Sequence, residues 1–158
     1  YKNQLPVFNV RMNNVTAAIA IPQINNIENT IQKANKNYED LKNHLNDFPE
    51  IKFPIINDLI RPVRDSAQMR IKIDEQSREK LKDELINAGI PISYFGGENN
   101  SNARLYRNWK FLKDIPIELQ NTDKYLSEVF DLRLPLHFNS EIINLIAKIF
   151  SKVMSENV

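Results

Sequence analysis

The sequence predicts an α+β domain with a long N-terminal helix, a small, mainly antiparallel sheet, and helices packed on one face of that sheet. Three observations carry this expectation. Ile24, Ile27, Ile31, Ala34, Tyr38, Leu41 and Leu45 step alternately by three and four, which lays an apolar stripe along a helix. Ala67, Met69, Ile71 and Ile73 alternate with Gln68, Arg70 and Lys72, the period of a strand with one buried face. Ile142, Ile143, Ile146, Ile149, Phe150 and Val153 make a second helical stripe near the C-terminus.

The elements follow in order. Residues 1–10 carry no period and read as a loop. Val15, Ala18, Ile19 and Ile21 are helically spaced, and Pro22, which lacks an N–H and clashes one turn back, predicts a break or kink there. The long helix occupies 24–47 and ends at Asp47-Phe48-Pro49. Its stripe either lies on its own domain or pairs with another helix, and the spacing leaves both open. Pro49, Pro54 and Pro62 mark a connection with at most a short strand near Ile55. After the 67–73 strand, Asp74 caps a helix bearing Leu81, Leu85 and Ile86, and Gly89 closes it in the left-handed C′ position. Ile90 to Phe95 reads as a second strand, and 96–102 as a polar loop. Leu105, Trp109 and Leu112 predict a short helix within 103–113, and Thr122 or Asp123 caps another that carries Tyr125, Leu126 and Val129. Leu134 to His137 is an extended link, and Ser140 caps the last helix.

Composition removes whole classes of function. With 158 residues the chain fits one domain with its own core. A balance of 21 Lys and Arg against 20 Asp and Glu argues against a nucleic-acid-binding or acidic tail. The absence of Cys excludes disulfides, thiolate metal sites and a Cys nucleophile, and 2 His make a multi-histidine metal centre improbable. Only 3 Gly exclude a Gly-rich phosphate loop. No apolar run reaches the roughly 20 residues of a membrane helix, and no secretory leader opens the chain. A first residue of Tyr1 sets the expectation of a piece of a longer product. The abundance of Asn and Ile, each about one residue in eight, is above ordinary usage and reads as translation bias of an AT-rich genome.

No catalytic constellation assembles from these residues. His137 reads as packing or capping, and His44 as solvated. Arg104 to Lys110 mixes basic and aromatic residues as a nucleic-acid surface does, but the net charge of +1 favours a half-buried helix with its guanidinium groups outward. Arg104 or Arg107 binding a phosphate or carboxylate stays open. In the 96–102 loop, Gly96 and Gly97 let the backbone approach a neighbour, and Asn99, Asn100 and Asn102 offer donors and acceptors. That loop is either a plain Asn-rich turn or the border of a pocket for a polyhydroxylated ligand.

The stretch from Phe8 to Ile24, Phe-Asn-Val-Arg-Met-Asn-Asn-Val-Thr-Ala-Ala-Ile-Ala-Ile-Pro-Gln-Ile, resembles the asparagine-arginine signature of the DegT/StrS family of pyridoxal-phosphate-dependent sugar aminotransferases. The likeness continues in order. Phe48-Pro49-Glu50-Ile51 follows the long helix, Leu81 to Ile92 is similar to the family's Leu-x-x-x-Gly-Ile unit, and Asn121-Thr122-Asp123 with Leu134-Pro135-Leu136-His137-Phe138 is similar to its ending. Coverage is nearly the whole chain. Ala20 stands where relatives have Gly, Pro22 where they have Ala or Leu, and Phe95 to Asn100 replace an aromatic-histidine segment.

The resemblance implies the small C-terminal domain of a fold-type-I aminotransferase. It implies that 1–23 is an inter-domain and active-site segment, 24–47 the long helix and 48–158 the α+β part, with the large cofactor-binding domain upstream. The aldimine lysine of the family lies in that upstream domain, and none of the 13 lysines here stands in such a context, so the chain alone is expected to be inactive. The implied cofactor is pyridoxal 5'-phosphate, and the implied substrates are glutamate and a keto sugar, nucleotide-linked, for surface polysaccharide synthesis. A cytoplasmic homodimer that binds neither nucleic acid nor membrane is implied as well. Asn9 matches the asparagine that reaches the cofactor phosphate of the neighbouring subunit. Arg11, Tyr94, Gly96, Gly97, Asn99 and Asn100 fall where the family contacts substrate, with a scaffold ion pair equally open for Arg11. The competing expectation is a helical interaction module that dimerises through the 24–45 seam without catalysis.

Overall fold

The computed structural model describes residues 12–97, 100–109, 111 and 118–157. Helices α1 (Asn14–Asn25) and α2 (Ile27–Leu45) lead into strands β1 (Ile51–Lys52) and β2 (Ser66–Ile71). Helix α3 (Glu75–Asn87), β3 (Ile92–Tyr94), a 3-10 turn (Tyr106–Asn108), α4 (Gln120–Leu126), β4 (Val129–Arg133) and α5 (Ser140–Ser155) complete the order. The sheet runs β1-β2-β4-β3 and every pairing is antiparallel.

Register assigns the faces. Ala67 pairs with Leu132 and Met69 with Phe130, while Ile92 and Tyr94 meet the same two residues from the other side. These side chains share one face, since residues directly opposite in a ladder point the same way. That face forms one core with Tyr38, Leu41 and Leu45 of α2, Leu81 and Leu85 of α3, and Ile143, Ala147 and Phe150 of α5. On the opposite face a smaller cluster of Phe95, Leu105 and Val129, with Leu126 against it, covers one end of the sheet.

Local chemistry sets the helix ends. Asp74 accepts from the Ser77 amide at 2.9 Å, as expected of an N-cap. Gly89, at φ +84°, closes α3 in a Schellman arrangement, with the Ile90 amide donating to Leu85 O and the Gly89 amide to Ile86 O. Asn139 rather than Ser140 caps α5, accepting from the Ile142 amide at 3.0 Å. Leu119 precedes α4 without a side-chain cap bond, in place of the expected Thr122 or Asp123.

Several expectations are corrected. The helix break falls at Asn26, not at Pro22, which lies inside α1. Helix α1 buries none of its residues, so water is at hand for the carbonyl that Pro22 leaves without a donor. The short strand lies at Ile51–Lys52, and Ile55 is fully exposed. Of the helix expected over 103–113, the described residues hold a 3-10 turn at Tyr106–Asn108, and 110, 112 and 113 lie outside the described residues. Val129 does not belong to the helix before it. It opens β4, the strand that pairs with both β2 and β3.

The fold therefore rests on β4. Leu132→Ala, at a fully buried central position, should cost about 2–5 kcal/mol in urea unfolding. Ile55→Ala, at a position with no burial, should stay within about 0.5 kcal/mol.

Candidate functional site

Strand β3 is an edge strand, and the chain leaves it through Phe95, Gly96 and Gly97. Between this exit and α3 lies an open cavity of about 480 Å³, lined by Glu79, Lys82, Tyr94, Gly96, Gly97, Asn100 and Ser101. Of the residues singled out from the sequence, Tyr94, Gly96, Gly97 and Asn100 are thus brought together. Asn9, Arg11 and Asn99 lie outside the described residues. Ser101 belongs to the 96–102 loop, while Glu79 and Lys82 were not anticipated, because nothing in the sequence aligns a polar face of α3 with the loop after β3.

Tyr94 holds the site together. Its ring stacks on Phe130 at 4.6 Å between centroids. Its hydroxyl donates to Ser127 O at 2.8 Å and accepts from Arg78 Nε at 3.1 Å. Arg78 is itself buried and donates to Ile73 O. One phenol therefore joins β3, the α4–β4 junction and α3, and both of its hydrogen-bonding functions are occupied. Burial pushes the phenol above its ordinary pKa, while the hydrogen bond from Arg78 pulls the other way.

The glycines are fitted to this ring. A Cβ on Gly96 would stand 2.1 Å from the Tyr94 hydroxyl oxygen. Gly97 takes φ +84°, and a Cβ there would meet Glu79 Oε1 at 2.6 Å. The loop beyond is tied down by its own amides. Asn100 Nδ2 donates to Tyr94 O and Gly96 O, and its Oδ1 accepts from the Asn102 amide. Asn108 Nδ2 donates to Asn100 O and Asn102 O, and Arg107 donates to Gly97 O at 2.9 Å. The Asn100 side chain is thus engaged in shaping the loop, so the cavity's open functions come from α3. There Lys82 donates to Glu79 at 2.6 Å and lies 3.2 Å from Asp83. The Glu79 carboxylate raises the Lys82 pKa and keeps it protonated. A cavity with a paired carboxylate and ammonium on one wall and ordered backbone on the other suits a neutral, hydroxyl-rich ligand.

Both histidines lie apart from the residues that line this cavity. His44 Nε2 lies 2.7 Å from Asn144 Oδ1 on the surface, and His137 packs edge-on to Phe138 at 4.9 Å. Among the described residues no group of three or more His, Asp or Glu is placed to hold a metal ion, and no helix is long and apolar enough to cross a membrane.

Residues 1–151 match the DegT/DnrJ/EryC1/StrS aminotransferase family, and the chain belongs to that family. No curated protein sequence matches significantly. Among solved structures, a protein of Streptococcus pneumoniae assigned as a sugar aminotransferase, in its PMP form, is 14% identical with a TM-score of 0.76, over 98% of this chain and 38% of its own. Helicobacter pylori PseC, an aminotransferase of pseudoaminic acid biosynthesis, is 14% identical with a TM-score of 0.76, over 94% and 39%. Escherichia coli GDP-4-keto-6-deoxy-D-mannose-3-dehydratase with bound hydrated PLP is 20% identical with a TM-score of 0.70, over 92% and 37%. The chain thus spans less than half the length of each of these structures, and an aminotransferase and a dehydratase share its fold.

Two outcomes test the packing of the site. Gly96→Ala should displace Tyr94 and lower stability by about 1–3 kcal/mol in thermal unfolding. An acid whose folded pKa is raised keeps its proton longer when folded, so stability should fall as pH climbs above about 10, where unfolded tyrosine ionises. Tyr94→Phe should lessen that fall and leave the shares of Tyr38, raised by burial, and Tyr106, raised by its hydrogen bond to Asp123.

Proposed function

We propose that this chain is the C-terminal small domain of a pyridoxal-phosphate-dependent enzyme that moves an amino group from glutamate to a keto sugar, nucleotide-linked, for surface polysaccharide synthesis. Membership of the family over residues 1–151 is the observation that carries the reading. The reading includes an upstream large domain, a homodimer whose subunits share the pocket, and a place in the cytoplasm.

When bound, the cofactor supplies an electron sink for the amino carbon. The described residues do not fit it. None of the described lysines is buried, and the one that borders the cavity, Lys82, is held charged by Glu79. An amine that is to form an imine must be free of its proton. The part of the described residues in this reading is to wall the pocket. Gly96 and Gly97 bring the backbone close, and Glu79 and Lys82 supply a polar wall beside it. On the same reading Asn9 donates its amide to the cofactor phosphate, and Arg11 lies at the active site as a substrate contact or an ion-pair scaffold. Asn99 extends the substrate wall alongside Asn100 and Tyr94.

The test is the product of the complete gene, purified with its cofactor and assayed with glutamate and a panel of nucleotide keto sugars. The expected result is a visible absorption band from the bound cofactor and an aminated sugar. Asn9→Ala should loosen cofactor retention about tenfold or more, the worth of a hydrogen bond to a charged group. Undiminished retention would sink the Asn9 assignment. A sugar that loses a hydroxyl and gains no amine would overturn the transfer while leaving the family intact.

A further inference from the structure

The sheet face opposite the core carries a row that the cavity does not use. Asp131, in the middle of β4, pairs with Gln68 on β2 and Ser93 on β3, and both neighbours are exposed. Asp131 itself is buried, at 3% exposure. Its Oδ2 accepts from Arg104 Nη1 at 2.6 Å, and its Oδ1 is buried with no partner among the described residues. Arg104 comes from the loop after β3, half of its side chain is in solvent, and its guanidinium lies 5.8 Å from the Phe95 ring centroid.

Stability does not account for this arrangement. A buried carboxylate with one oxygen unpaired costs free energy, and an apolar residue of similar size would be neutral or better. Its neighbours Phe130 and Leu132 are apolar and fully buried. What Asp131 does achieve is orientation. An exposed arginine is ordinarily free to swing. Here one nitrogen is tied to a carboxylate beneath it and the plane is flanked by an aromatic ring. Of the five N–H donors of a guanidinium, only Nη1 has a side-chain or backbone acceptor among the described residues. The outer edge is left for a ligand.

Two other arginines rise from this face, and they differ in kind. Arg133 pairs with Asp65 and both are mostly in solvent. Arg70 pairs with Glu128, is largely covered, and lies 4.1 Å from the Tyr125 ring centroid. Only Arg104 combines a buried anchor with an open edge.

We propose that Arg104, positioned by Asp131, is an oxyanion-binding residue on the open face of the sheet. A guanidinium edge presents two parallel N–H groups that match two oxygens of a phosphoryl or carboxylate group. Gln68 and Ser93, exposed beside Asp131 in the ladder, add neutral donors to this face, and the Asp131 carboxylate stands on the inner side of the guanidinium, away from its free edge. The seat itself stands without the aminotransfer reading. Only the naming of its source, the phosphoryl group of a nucleotide-linked sugar or a carboxylate of the amino donor, rests on that reading.

The experiment is titration of the protein with inorganic pyrophosphate and, separately, with glutarate at low ionic strength, followed by calorimetry and by the arginine Nε–H resonances. The expected result is saturable binding of at least one probe that shifts the Arg104 resonance. Arg104→Gln should weaken it at least tenfold, and Arg104→Lys, which keeps the charge without the fork, should also weaken it. Preference for pyrophosphate assigns the phosphoryl source, and preference for glutarate the carboxylate source. Asp131→Asn, which replaces the charge-assisted anchor by a weaker neutral one, should shift the Arg104 Nε–H resonance of the free protein, and an unmoved resonance overturns the positioning role of Asp131. Should that variant fail to fold, the two Arg104 variants still decide the matter. No saturable binding of either probe, or binding unchanged in Arg104→Gln, overturns the proposal. Neither result depends on cofactor or turnover, so failure of the assigned reaction would leave this test standing.

Discussion

Burial of β4 on both of its faces is the constraint on which the rest of the structure depends. Val129, Phe130, Asp131 and Leu132 are all buried, in a sheet of only four strands. One face is closed by α2, α3 and α5 through a continuous apolar core. The other is partly closed by the segment that leaves β3, whose Phe95 and Leu105 pack on Val129. That segment reaches across the sheet because β3 pairs directly with β4. Order in the middle strand therefore fixes both the helical layer and the loop that borders the cavity.

The cavity inherits its shape from this arrangement. The Tyr94 ring lies on Phe130, and its hydroxyl reaches Ser127 just before β4. With the ring so placed, no side chain fits at 96, and the chain must pass as glycine. The same glycines then place the Asn100 amide where it caps Tyr94 O and Gly96 O. Packing in the core, backbone at the rim and the polar wall of α3 are thus links of one chain of cause. A phenol with both functions engaged is a structural bolt, and the open chemistry of the site passes to Glu79 and Lys82, which the loop faces.

Legibility in the sequence followed periodicity. The stripe of α2, the alternation of β2 and the stripe of α5 each bury one face, and a one-faced element writes its period into the sequence. Asp74 and Gly89 were legible because caps have their own chemistry. β4 was hidden because it is buried on both faces, so Val129-Phe130-Asp131-Leu132 does not alternate, and Asp131 interrupts the apolar run that marks such a strand. Its nearness to Tyr125 and Leu126 then drew Val129 into the preceding helix. The 103–113 segment misled for a related reason. Leu105 is buried, but the turn around it is held by Asn102 and Asn108 side chains bonding to backbone, a non-periodic device. In the site, Gly96 and Gly97 were legible as points of close approach. The contribution of Glu79 and Lys82 was not, since it depends on how α3 lies beside the loop.

The first two helices sharpen the choice between a domain and a free coiled coil. The seam from Ile24 to Leu45 divides in two. Ala34, Tyr38, Leu41 and Leu45 are buried in the chain's own core, where α2 meets α5, while Ile24 and Ile27 are more than half exposed. A seam whose second half packs against its own domain is not available as a dimerising zipper over that half. The first half continues into α1, where Val15, Ile19 and Ile21 are also exposed and no residue is buried. A helix of 12 residues gains little from propensity alone, and its apolar side chains Val15, Ile19 and Ile21 are left exposed. The helical period of this region thus records two different surfaces in succession. One closes the domain's core, and the other stays exposed in the described residues.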